Sequence, residues 1–195
     1  MGDPKKQRKK YETPRFRWRK DILQEELKLI GQYGLRNKHE LWRHKTTLSN
    51  ARGIARSLIG KSAEERTKIE NELLTRLKKR GILAETSVLD NVLDLTIEDI
   101  LERRLQTIVF RKGLTRTIFQ ARQLITHGHV TIGNRRVTIP GYIVAKAEEE
   151  HVVYSPESAI VNEAHPLRKS LSYVAKEPEI RTPLRGRRGR RGGRR

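Results

Sequence analysis

Positive charge is concentrated at the two ends of this chain, and that placement decides which part of it can fold. Residues 1–20 carry nine basic and two acidic side chains, and residues 181–195 carry eight arginines and no acid. The stretch between them, 21–180, holds 26 basic and 21 acidic residues, so it contributes only +5 of the formal net charge of +20. A compact body needs apolar surface and balanced charge in the same region, and only the middle offers both. The ends repel themselves unless a polyanion neutralises them. Nucleic acid is the first partner class this implies, and an anionic membrane surface is the second. Of the 195 residues 35% are hydrophobic and 5% aromatic, so the expected core is modest and aliphatic. With no cysteine there is neither a disulfide framework nor a thiolate zinc site. No apolar run approaches the roughly 18–20 residues that span a bilayer, and residues 1–20 lack the apolar stretch of a secretory leader. A soluble chain with no membrane partner is expected.

Periodicity predicts an α+β chain with a mainly helical body, a short antiparallel sheet and extended basic tails. Residues 1–20, with Pro4, Pro14 and the run KKQRKK, read as a basic arm. From Asp21, Ile22, Leu23, Leu27 and Ile30 recur at helical spacing, and Gly34 ends the segment. A second helix is predicted over about 37–59. Its buried stripe is Leu41, Leu48, Ala51, Ala55, Leu58 and Ile59, and its other face carries Lys38, Arg43, Lys45, Arg52 and Arg56. Ser62 and Glu65 have capping-box form before Ile69, Leu73 and Leu77, with a stop at Gly81. Residues 21–95 thus read as a helical body, and 96–155 as a second unit. In that unit Thr96 and Asp99 cap a helix through Ile97, Ile100, Leu101 and Leu105 that runs to Gly113. Thr115 caps a shorter helix through Ile118, Ala121, Leu124 and Ile125. Alternation then predicts strands over 129–132 and 135–139, joined by a tight Gly133-Asn134 link, and further strands over 142–144 and 151–154. Residues 156–180, with Pro156, Pro166 and Pro178, read as a segment that wraps rather than packs. The tail RGRRGRRGGRR within 181–195 is low-complexity and is expected to be disordered alone.

The charge order within the second unit points to function. Residues 103–147 contain no acid but nine cations, namely Arg103, Arg104, Arg111, Lys112, Arg116, Arg122, Arg135, Arg136 and Lys146. Residues 83–102 show the reverse, six acids and no base. A merely soluble surface tends to intersperse the signs. The predicted geometry lets Arg111, Lys112, Arg116, Arg122 and the hairpin tip at Arg135 and Arg136 line one positive groove. Arginine suits phosphate because its planar fork binds two oxygens at once and also stacks on bases. Thr115 and the amides after it can also meet a phosphate. The competing reading is an ordinary solvated face. The candidate RNA-binding residues are these together with Arg36, Lys38, Arg43, Lys45, Arg52, Arg56, Arg103, Arg104, His127 and His129.

The run Thr115-Arg-Thr-Ile-Phe-Gln-Ala-Arg-Gln-Leu-Ile-Thr-His-Gly-His-Val130, continuing to Pro140-Gly-Tyr-Ile-Val144, resembles the small RNA-binding module named after the fourth ribosomal protein of the small subunit. That module is an αL-type fold of two or three helices on a short bent sheet, and the likeness covers about 103–155. The module also occurs in tyrosyl-tRNA synthetases, pseudouridine synthases and a heat-shock protein. An RNA-modifying or tRNA-charging enzyme, or a precursor-RNA processing relative, is therefore the alternative. Gly34-Leu-Arg-Asn-Lys-His-Glu-Leu-Trp-Arg43, Met1-Gly-Asp-Pro4 and Lys9-Lys-Tyr-Glu-Thr-Pro14 are similar to the archaeal and eukaryotic ribosomal family itself. That resemblance implies a cytoplasmic small-subunit constituent, not an enzyme. It further implies binding to ribosomal RNA early in assembly, protein neighbours in the subunit, proximity to the messenger entry path and influence on decoding accuracy. In the family the module is inserted into the helical half.

Other constellations carry less. His127 and His129 flank Gly128 without an evident third ligand, so no metal and no cofactor is expected. Glu148, Glu149 and Glu150 read as a solvated loop or a contact for a basic neighbour. Asp90, Asp94, Glu98, Asp99 and Glu102 read as caps and helix-dipole partners rather than a catalytic pair. Neither a phosphate-loop glycine pattern nor a nucleophile elbow is present. Trp18 and Trp42 both sit among arginines, and each reads equally as a core anchor or a base-stacking ring.

Overall fold

The computed structural model describes residues 9–172, apart from the side chains at 63–65 and 170–172. Most of the arm motif KKQRKK, and Pro178, Pro183 and the Arg-Gly tail, lie outside that range. Helix α1 (Lys20–Gln32) stops ahead of Gly34, whose φ of +57° a side-chain-bearing residue adopts only with strain. Helix α2 (Lys38–Ile59) begins on Asn37, which accepts from Glu40 N at 3.1 Å. Helix α3 (Ala63–Lys79) follows Ser62, and the box expected with Glu65 rests on a side chain outside the described ones. The sequence pattern gives no sign of a short α4 (Leu89–Asp94), which the Asn91 side chain caps by accepting from Val88 N. Leu48, Ala55 and Leu58 of α2 pack with Leu73 and Leu77 of α3 and Leu89 and Val92 of α4. The predicted α2 stripe is buried except at its end, where Ile59 is exposed, and at Ala51, which is half-buried.

The single helix expected from Thr96 to Gly113 is two helices, α5 (Ile97–Glu102) and α6 (Leu105–Arg111). Thr96 N does donate to Asp99 Oδ2 at 2.7 Å, as the cap predicts. The break at Arg103–Arg104 has a clear cause. Leu105 N donates to Tyr142 O at 2.8 Å and Val144 N to Arg103 O at 3.0 Å, so backbone that would continue the helix pairs with 142–144 instead. The same pairing corrects the strand expectation, because 142–144 lies against Arg104 and not in the sheet. The sheet has three antiparallel strands in the order β2-β1-β3, formed by β1 (Val130–Ile132), β2 (Arg135–Arg136) and β3 (Val152–Tyr154). Thr131 faces Arg136 on one side and Val153 on the other. β2 is shorter than predicted, since Pro140 can donate nothing to a ladder and the chain turns away before it.

Helix α7 (Ile118–Thr126) packs against α6, and both cover the inner face of the sheet. Leu105, Val109, Ala121, Ile125, Val130, Val144 and Val152 form this second core. A third core, of Tyr33, Leu35, Leu41, Leu101 and Ile118, joins it to the helical body. The segment after 155 does pack, contrary to expectation. Ile160 is buried in the second core, and α8 (Pro166–Ser172) starts at Pro166, whose fixed φ suits a first helical position.

Candidate nucleic-acid interface

The acid-free run acquires its acids in space. Arg104, at the break between α5 and α6, is 1% exposed and donates to Glu40 Oε2 at 3.0 Å. Arg122 of α7 binds the other Glu40 oxygen at 2.7 Å. One carboxylate on α2 therefore holds two arginines of the second unit. Burial works against the charge on Glu40, but hydrogen bonding from Arg122 and the charge of Arg104 outweigh it and hold this carboxyl below its ordinary 4.5. His44, one turn on, is buried beside Arg104, and burial followed by that charge pushes it from 6.5 down to about 4. Arg104 is thus corrected from RNA contact to structural lock, because it cannot reach a phosphate without leaving the interior. Thr115 is corrected too. It is buried, and the helix cap is Thr117, which accepts from Gln120 N at 3.2 Å. The chain runs extended at Thr117, which brings its hydroxyl, and not that of Thr115, over the first turn.

Other cations of the run are also drawn to carboxylates from elsewhere. Arg103 reaches Glu149 at 2.8 Å, Arg111 pairs with Glu102, Arg135 stands 3.9 Å from Glu148, and Lys146 lies 3.5 Å from Glu85. Arg103, Arg111 and Lys112 line a cleft together with Asp99, Glu102 and Glu149. The continuous groove expected through Arg111, Arg116, Arg122 and Arg136 is therefore interrupted by acids. Acids from 83–102 and 148–150 fold back onto the cations that sequence order kept apart from them. On α2, Lys38 and Lys45 both hold the buried Glu26 of α1, at 3.4 and 3.2 Å, and Arg52 donates to Leu95 O.

Arg36, Arg43, Arg56, Arg116 and Arg136 remain exposed and without a carboxylate partner among the described residues. Arg136 lies across Gly128, whose φ is +79°, and donates to His127 O at 3.0 Å. A methyl group on Gly128 would occupy the space of that guanidinium. His127 is exposed, and His129 Nδ1 lies 2.9 Å from Ser158 Oγ on the C-terminal segment. A ring absent from the candidate set stands out here. Phe119 is 61% exposed on the outer side of α7. At helical spacing it shares a face with Arg122, Gln123 and Thr126. The buried stripe Ile118, Ala121, Leu124 and Ile125 already excludes position 119 from the core, so the signal is in the sequence. Trp42 is buried and donates to Glu26 at 2.9 Å, whereas Trp18 is open to solvent, which separates two rings the sequence leaves equal.

The S4 domain model matches residues 103–150, which covers the break, α6, α7 and the first two strands. Relatives extend much further. The small ribosomal subunit protein uS4 of Hyperthermus butylicus is 54% identical over 158 residues, 81% of this chain and 90% of that protein. The chain belongs to the uS4 family. The uS4 protein of Ignicoccus hospitalis is 52% identical over 84% of this chain and 99% of its own length. That of Thermoplasma acidophilum is 47% identical over 88% of this chain and 87% of its own. Family membership thus takes in the helical body as well as the module, and the body is where α2 contributes Glu40 to the lock.

Proposed function

We propose that this chain is a structural constituent of the small ribosomal subunit that binds its ribosomal RNA and catalyses nothing. The observation that carries the reading is kinship with uS4 proteins over most of the chain, the helical body included. An enzyme that merely borrowed the module would share only 103–150 with them. The RNA-facing set comprises the exposed Arg36, Arg43, Arg56, Arg116 and Arg136, none with a carboxylate partner among the described residues, together with the exposed His127 and Phe119, and the basic arm adds charge. Cations displace counterions from RNA, and a rigid arrangement of them selects a folded shape rather than a base sequence. Early binding that organises the subunit body, contact with neighbouring subunit proteins, and a position near messenger RNA that affects accuracy all belong to this proposal. So does a cytoplasmic location. No helix among the described residues is long and apolar enough to cross a membrane. Gradient sedimentation of native extract, with the chain followed by blotting, tests the reading. It should travel with mature small subunits through a salt wash, and a chain found only at the top of the gradient, or only with precursor particles, sinks it.

A further inference from the structure

The loop that leads into α1 presents two large apolar rings to water. Trp18 is 87% exposed and Phe16 58%, in a chain with only two tryptophans and three phenylalanines. Every residue from Arg15 to Lys20 is exposed, and four of the six are cationic. The loop is tethered at both ends. On one side Glu12 N donates to Thr46 Oγ1 at 2.9 Å and Tyr11 stacks on His39 with ring centroids 4.8 Å apart. On the other, α1 begins at Lys20. The rings are therefore held at a defined place on the body rather than trailing from it. Among the described residues the cations of 15–20 make one carboxylate contact, Arg19 with Asp21 at 3.9 Å, and both of those side chains lie largely in water.

A surface of this kind needs a partner with flat apolar faces and closely spaced negative charge. Unpaired nucleotides supply both, since each base offers a π face and each linkage a phosphate. Duplex RNA supplies only the phosphates, because its bases are already stacked on one another. An apolar protein surface would cover the rings but leave Arg15, Arg17, Arg19 and Lys20 without counter-charge. We propose that Trp18 and Phe16 stack on unpaired bases of RNA while Arg15, Arg17 and Arg19 engage the flanking phosphates. This rests on the ribosomal reading and narrows it, naming a single-stranded segment as what the loop recognises. Arg15 already lies 5.4 Å from the centre of the Phe16 ring, so guanidinium, ring and base can form one stacked series.

The test uses the full chain, a short oligoadenylate and an RNA duplex with the same number of phosphates. Oligoadenylate should quench tryptophan emission, whereas the duplex binds with little quenching. Replacing Trp18 with Phe keeps a stacking ring and should retain most of the affinity, but it removes the quenching, because the remaining Trp42 is buried. The W18A variant should bind oligoadenylate on the order of tenfold more weakly and the duplex nearly as before. Both variants should fold, because position 18 is almost wholly in solvent. Equal quenching by duplex and single strand, or unchanged oligoadenylate affinity in W18A, overturns the proposal while leaving the ribosomal reading in place. A wild-type chain that does not bind oligoadenylate overturns the proposal, whereas the ribosomal reading fails only if the chain does not sediment with mature small subunits.

Discussion

At the scale of single residues, the least expected group is a histidine. His44 sits on α2 inside the lock formed by Glu40, Arg104 and Arg122, and burial beside Arg104 pushes its pKa from 6.5 to about 4. Between those values the unfolded chain takes up a proton that the folded chain refuses, so folding stability falls as pH drops from 6.5 towards 4. The full difference is roughly 3 kcal/mol. Glu40 and Glu26 follow in the same direction. Both carboxyls are held below their ordinary 4.5 by the groups around them, so their contribution is present above 4.5 and is lost as pH falls through the lower folded values. Urea unfolding followed from pH 7 to pH 4 should show the decline starting near 6.5. In an H44L variant the curve should stay nearly flat until carboxylates begin to protonate, and an unaltered slope in that variant would remove His44 as the cause.

At the scale of elements, sequence is a good guide wherever a local signal sets the boundary. Gly34 and Gly81 as stops, the Thr96–Asp99 box and the Gly133-Asn134 link all lie where their own chemistry requires. It fails where distant backbone competes. The break at Arg103–Arg104 exists because 142–144 offers hydrogen bonds from some 40 residues away, and no local pattern encodes that. The Thr117 cap is hard to read because Thr115 and Thr117 are both sound caps, and only the burial of Thr115 decides between them. The candidate site is legible as a list of cations but not as a surface, since which arginines meet acids depends on how the acidic segments return. One junction between elements can be tested directly. The Gln106 amide of α6 donates to Gly34 O and Ile118 O, both at 3.0 Å, which ties the α1–α2 turn to α6 and α7. A methyl group on Gly34 would lie 2.8 Å from both the Gln106 amide and an Ile118 methyl. Replacing Gly34 with Ala adds left-handed strain, roughly 1–2 kcal/mol, to that collision, so its melting temperature should fall clearly. G53A, on α2 where nothing lies near the added carbon, should be neutral or mildly stabilising. Equal behaviour of the two would show that the junction is slack.

At the scale of the molecule, the surplus of +20 divides cations into two kinds with different work. Arg103, Arg104 and Arg122 lie largely out of water against Glu149 and Glu40 and serve the fold. Arg43, Arg116 and Arg136 point outward and have no carboxylate partner among the described residues. If the second kind binds RNA, removing one should leave stability nearly untouched. It should also reduce the slope of log affinity against log salt by roughly 0.7–0.9 for each phosphate that is no longer neutralised. The first kind should behave in the opposite way. Replacing Glu40 with Gln strips the counter-charge from Arg104, whose Nη2 alone reaches Glu40 and whose Nε and Nη1 have no hydrogen-bond partner among the described residues, and should destabilise folding by roughly 3 kcal/mol. Its salt slope should stay at the wild-type value once the measurement is made well below the melting transition. Titrating R43A, R116A, R136A and E40Q against small-subunit RNA at several salt concentrations, beside thermal melts of the same proteins, separates these behaviours. The division fails if E40Q flattens the salt slope as much as R116A does, or if R116A and R136A melt as early as E40Q. Either result would mean that fold and RNA draw on the same charges.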